Sequence, residues 1–402
     1  MCLYKLNHHQ KKRRLMQSHD KKNQSACTVE RTSLLLVAIS LNFLEFFIPR
    51  IPLFPWLKPG LANCITLVWI VKYGTGEAFL FSLLRIWTVG FYFGFSFLTL
   101  SLGLGGSIFA VAAMGAAWHI LGKRQVAGII GISITGALFH NAGQLVMVYF
   151  LMANNPYLFY QVPLMAIAAI GFGTITGLIA GFMLTLSEKT RPQKGRAVFP
   201  LKHDFHELLP YHLIATAGIA ALCIAILFID SLAILGIAAA STTLFVQVLV
   251  RGSLRTFLSP ITKFWMLFVC IGALHLFFTL GTRIESIPGI TREGARMTLV
   301  QWLRIWTWLQ VTHVLTRFRF HLVFFAALKK LFKDYGYSLD AGLLAVEIFP
   351  SIPGLVRKEI AALARHFSAK RSAAVGSFFE SLYEKTMLLV VDHLQEVAVK
   401  EE

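Results

Sequence analysis

This sequence predicts an all-α, polytopic integral membrane protein, and three observations carry that prediction. Of its 402 residues, 56% are hydrophobic and only 14% are charged, whereas a soluble domain carries about 25% charged residues. The apolar residues fall in successive runs, several of them near the 20 or so residues that a membrane helix needs. The positive charges, which give a net charge of +18, gather at the ends of those runs. There they act as topology signals and as contacts for anionic lipid headgroups. A basic soluble surface with interleaved aromatics, the mark of nucleic-acid binding, is not visible. The five cysteines have no framework spacing, so free thiols are expected and no structural zinc.

Residues 1–31 form a basic arm containing Lys11-Lys12-Arg13-Arg14 and Lys21-Lys22. It is too long and too polar to precede an ordinary cleaved signal segment. The first apolar run is Thr32–Ile48, followed by a Pro-rich connection to Gly60. The second, Leu61–Val71, is short and ends at Lys72. The third covers about Ala78–Leu98, with Gly90 and Gly94 as candidate breaks, and the fourth about Leu102–Leu121. The fifth is Ala127–Met152, and Asn154-Asn155-Pro156 turns the chain into a sixth, Pro163–Leu186. Together they predict a six-helix membrane domain over residues 32–186. A polar linker, 187–209, follows. About four further membrane helices are expected in residues 210–316. Residues 317–402 read as amphipathic helices lying on the cytoplasmic surface or on a partner, broken at Pro350-Ser-Ile-Pro353.

The charges set the orientation. With the N-terminus inside, the inner loops of the first half hold the arm, Lys72, Lys123-Arg124 and the linker's basic residues, against Arg50 and Lys58 outside. That positive-inside bias places both termini in the cytoplasm of a bacterial cytoplasmic membrane.

Chemistry concentrates in the fifth run, in Gly136-Ala-Leu-Phe-His-Asn-Ala-Gly-Gln144. His140 and Gln144 are four apart and share a helix face, with Asn141 beside them. Polar groups at that depth are costly unless they find partners. Two readings stay open: the three side chains fasten helices together, or they line a binding site. Asn63, Arg85, Glu45 and Glu77 belong to the same set. Arg85, near a helix centre, needs a cavity or a carboxylate, and Glu45 and Glu77 are its candidate partners. No phosphate-binding Gly-rich loop, Asp-rich cluster for magnesium diphosphate, or zinc-protease helix motif occurs. The chain is therefore expected to be no enzyme and to need no cofactor of its own.

Four stretches carry a resemblance: Lys58-Pro-Gly-Leu-Ala-Asn63, Glu77-Ala-Phe-Leu-Phe-Ser-Leu-Leu-Arg85, Ser101-Leu-Gly-Leu-Gly-Gly106 and Gly136 to Gln144. In this order and spacing they resemble the Gx transporter family, also labelled heptaprenyl diphosphate synthase component I. That family is similar to the six-helix substrate-binding (S) components of energy-coupling-factor (ECF) transporters, whose first helix docks on a T component. The second half is similar to a T component in Ile290-Thr-Arg-Glu-Gly-Ala-Arg296, Ala345-Val-Glu-Ile-Phe-Pro350 and Glu359-Ile-Ala-Ala-Leu-Ala-Arg365. The resemblance implies an S-like plus T-like fusion that carries a small molecule such as a vitamin or isoprenoid precursor. His140, Asn141, Gln144, Asn63, Arg85, Glu45 and Glu77 would then face the substrate. Ala364, Arg365, Arg357 and Lys358 would dock ECF-type ATPase subunits. The family's second label implies instead a non-catalytic membrane subunit beside a heptaprenyl diphosphate synthase. A membrane scaffold is the third reading. Membrane lipid is an expected partner under all three, and nucleic acid under none.

Overall fold

The computed structural model describes residues 27–45, 59–93, 97–122, 128–190, 214, 218–219, 221–250, 254–284, 289–317, 336–367 and 371–401. The protein is an all-α membrane protein. Among the described residues the sole extended pairing is an isolated bridge between Arg283 and Thr291. Five helical stretches among them are long and apolar enough to cross a bilayer: Cys27–Glu45, Leu100–Gly122, Ile129–Leu151, Pro156–Lys189 and Leu339–Ala364.

Helix α1 (Cys27–Glu45) begins five residues before the apolar run that announces it. Its first turns fall in the stretch read as arm because Glu30 and Arg31 are charged. Both are paired in the fold: Lys72 Nζ donates to Glu30, and Arg31 Nη2 donates to Glu77 Oε1 at 3.0 Å. A paired charge is far cheaper to bury than a lone one. Ser33 and Ser40 satisfy their hydroxyls on the carbonyls four residues back. Gly74, at φ 94°, makes the sharp link between α2 (Asn63–Tyr73) and α3 (Thr75–Phe93). That φ is open to glycine and costly for other residues. Helix α3 runs straight through Gly90, while Gly94 lies outside the described residues. Then come α4 (Phe97–Ala117), closed by a π-turn at Trp118–Gly122, and α5 (Ile129–Val148), closed by another at Tyr149–Ala153. Asn154 adopts a left-handed conformation, and Asn155 Oδ1 accepts the N–H of Tyr157. This turn leads into α6 (Val162–Lys189).

The second half contributes α7 (Leu232–Val250), α8 (Leu254–Phe278) and α9 (Arg292–Arg317), then α10 (Gly336–Ile348), α11 (Ile352–Phe367) and α12 (Arg371–Glu401). The basic stretch at 321–335, before α10, lies outside the described residues.

Two cores organise these helices. One joins α1, α2 and α3 with parts of α4 and α6, and α10–α12 complete it through Leu339, Leu344, Phe349, Val356, Leu382 and Tyr383. The other joins Leu145, Val148 and Met165 of α5–α6 to Leu235, Leu267, Ile271, Val300 and Trp308 of α7–α9. Residues 336–367 and 371–401 thus add buried side chains to the core of the N-terminal helices. The apolar face of α11 does exist, but it is turned onto the N-terminal bundle, and Arg357 and Lys358 are left exposed.

Helix α1 is covered on every side. Six consecutive residues, Leu34 to Ile39, are each at most 1% exposed, and six residues exceed one helical turn.

Candidate functional site

Asn63, Arg85, the Gly105-Gly106 pair and the segment His140–Gln144, far apart in the chain, come together where α4 and α5 cross. A Cβ placed on Gly143 would lie 2.5 Å from the carbonyl oxygen of Gly105. One on Gly106 would lie 2.7 Å from Cε1 of the His140 ring and 3.0 Å from Cγ of Gln144. Bare glycines therefore let the two backbones touch and make room for the two polar side chains of α5.

Arg85 of α3 reaches this crossing from the other side. It is 3% exposed, and its Nη2 donates to Asn63 Oδ1 of α2 and to Ser107 Oγ of α4, both at 3.3 Å. Glu45, at the end of α1, is half-buried and close enough for its charge to act on Arg85. Asn63 then connects Arg85 to a small cavity between α2, α5 and α6. Pro59, Gly60, Asn63, Ser133, Ala137, His140, Asn141, Ala169, Phe172 and Thr176 line it. Gly60 holds the rim at φ +69°. The free volume is about 10 Å³, room for one water molecule in this closed arrangement.

Not every predicted residue performs the same task. Asn141 Nδ2 donates to the carbonyl of Met165 at 3.0 Å, so it fastens α5 to α6 while edging the cavity. Ser133 and Thr176 share a 2.8 Å hydrogen bond between the same helices. His140 and Gln144 are both buried at the crossing.

Glu77 is not in the cluster. It lies eight residues before Arg85 on one helix, about 12 Å along the axis, and pairs with Arg31 at the far end of α1. A direct Arg85–Glu77 pair, one of two considered from the sequence, is thereby replaced by proximity to Glu45. On α11, Arg357, Lys358 and Ala364 are exposed, and Arg365 lies on the same helix with its side chain outside the described set. Sequence reasoning missed Ser107, Ser133, Thr176 and Gly60. Ser107 directly follows the glycine pair, which is the one local signal for it.

All these donors belong to helices α1 to α6. Residues 34–183 match the family of heptaprenyl diphosphate synthase component I. No curated protein and no solved structure matches the chain. The component I match begins inside α1 and ends inside α6, so it contains the whole polar cluster, while α7–α12 lie beyond it.

Proposed function

We propose that this chain is a non-catalytic membrane component that works beside a heptaprenyl diphosphate synthase and holds a small molecule at the α4–α5 crossing. The observation that carries the proposal is the coincidence of the component I match with the bundle that houses the polar cluster. The family's name supplies the partner, and the donor set supplies the binding role. A guanidinium, an imidazole and three amides can hold and orient a polar group. Ionising a prenyl diphosphate instead calls for several carboxylates around magnesium, and among the described residues the cluster offers Glu45 alone.

Affinity purification of the full chain from its native membranes tests the reading. A catalytic prenyl diphosphate synthase, identified by its Asp-rich motifs and by chain-elongation activity in the eluate, is the expected companion. Its absence, with the chain intact and folded, would remove the proposal.

A second reading, an ECF-type fusion that transports the molecule it binds, is favoured by one observation. Helices α10–α12 share a buried core with α1, α2 and α3, and α1 is the helix through which an S component docks on its T component in the resemblance drawn above. The exposed Arg357, Lys358 and Ala364, with Arg365, would then meet an ATPase pair, and Arg365→Glu should release that pair. We also infer that both termini face the cytoplasm of a bacterial cytoplasmic membrane, from the charge asymmetry of the first half. Reporters fused at residue 195 and at the C-terminus should both report inside, and an outside signal at either contradicts it.

A further inference from the structure

We propose that Arg85 is the anchor for the head group of the bound molecule, and that this head carries a single negative charge, by preference a carboxylate. The inference rests on reading the bundle as a small-molecule binder.

A guanidinium carries five N–H donors in a planar fork. Arg85 uses one of its three nitrogens, and only for two long bonds to neutral oxygens. Its Nε is buried with no hydrogen-bond partner. Among the described residues, no carboxylate hydrogen-bonds to it. A cation held this deep, with donors unused, is under-coordinated, and the partner that suits its fork is a carboxylate or phosphate taking two parallel bonds. The path to Arg85 runs past Asn63, which both bonds the guanidinium and lines the cavity. Pro59 and Gly60 line the same cavity.

Charge selects the ligand class. Among the described residues, the cluster has one fixed cation, Arg85, and one acid within electrostatic reach of it, Glu45. A monoanion is the group that the Arg85 fork can pair with directly. A diphosphate would bring further negative charges into a buried site where, among the described residues, Arg85 is the one cation.

The test uses the full chain in neutral detergent and three probes of similar apolar bulk: 4-methylpentanoate, 4-methylpentan-1-ol and isopentenyl diphosphate. Thermal unfolding is followed against probe concentration. The carboxylate should raise the unfolding midpoint, and the alcohol should not. In Arg85→Gln the half-effect concentration should rise by roughly tenfold or more, the loss expected for a charge-assisted hydrogen bond. Arg85→Lys, which keeps the charge and loses the fork, should fall between, and it decides the matter if Arg85→Gln does not fold. The exposed Arg357→Gln should match the unaltered protein. An alcohol as effective as the carboxylate, or a carboxylate effect unchanged in either Arg85 variant, overturns the proposal. An Arg85-dependent preference for isopentenyl diphosphate overturns the single-charge assignment and leaves the synthase-component reading standing. Loss of the synthase companion with the carboxylate effect intact does the reverse.

Discussion

Leu344 of α10 and Leu244 of α7 are the same residue type on apolar helices of one membrane protein, yet their surroundings are opposite. Leu344 is wholly buried, whereas Leu244 is 66% exposed. The contrast extends to their regions. In the N-terminal bundle, α1 is buried in a core to which α10–α12 also contribute. On α7 and α8, Ile237, Phe245, Val269 and Phe277 face outward, as lipid-facing residues do in a bilayer. The lesson is that apolar composition alone separates neither case: a helix hydrophobic all round is either central or lipid-facing. What distinguishes α1 is charged pairing at its end, where Arg31 meets Glu77 and Glu30 meets Lys72. Polar side chains also serve different ends in the two regions. In α9, Trp302, Trp306 and Trp308 each donate an indole N–H to α8, α7 or the segment before it, which fastens the helices. In the bundle, Arg85 leaves donors unused at the crossing.

The largest effect should separate the two leucines. Leu344→Ala should cost about 2–5 kcal/mol by creating a cavity. Leu244→Ala should cost no more than about 0.5 kcal/mol, the range for surface positions. Chemical unfolding in detergent measures both, and equal costs would show that α10 does not cover the bundle. A smaller difference is expected between two glycines. Gly143→Ala drives a methyl against Gly105 of α4 and should lose about 1–3 kcal/mol. Gly236→Ala on α7 meets nothing within 4 Å and should gain up to about 1 kcal/mol from helix propensity. A crossing that tolerates Gly143→Ala as well as α7 tolerates its alanine would break the account of the site.

The smallest effect lies in the link between α8 and α9. Glu293 accepts the N–H of Thr282 at 2.8 Å and is also bonded by the Thr282 hydroxyl. Hydrogen bonds from backbone N–H groups, its own first and then that of Thr282, hold its carboxyl below the usual carboxylate range. A lowered acid contributes order that is complete above that range and is lost as pH falls through the lowered value. Amide exchange at Thr282, corrected for intrinsic rates, should therefore accelerate as pH falls below the usual carboxylate range, and Glu293→Gln should remove the pH dependence. Exchange that ignores pH would mean the staple is inert.

Much of this was legible in the sequence, and the physical reasons for the rest are specific. The runs behind α2, α5 and α6, the turn at Asn154-Asn155 and the break at Pro350 to Pro353 could be read from hydropathy and turn residues. So could the grouping of His140, Asn141 and Gln144, because i to i+4 spacing is local. The start of α1 could not, since Glu30 and Arg31 look solvent-bound until Lys72 and Glu77 are brought to them. The Arg85 partners could not either: Asn63 and Ser107 are each 22 residues away on other helices. Excluding Glu77, by contrast, required only the rise of one helix. The core that α10–α12 share with the N-terminal helices was hidden for a different reason. An amphipathic face does not say whether it meets lipid, a partner chain or another helix of the same chain.

The central claim is that the α4–α5 crossing holds a small molecule. The most direct measurement is mass spectrometry of the small molecules retained by the gently purified full chain and by His140→Ala, compared at equal amounts of folded protein. The account predicts a molecule retained by the unaltered chain and lost from His140→Ala, with thermal stability nearly unchanged. Equal retention in both, or a collapse in stability with retention per folded molecule preserved, would contradict it and leave His140 as a residue that only packs helices together.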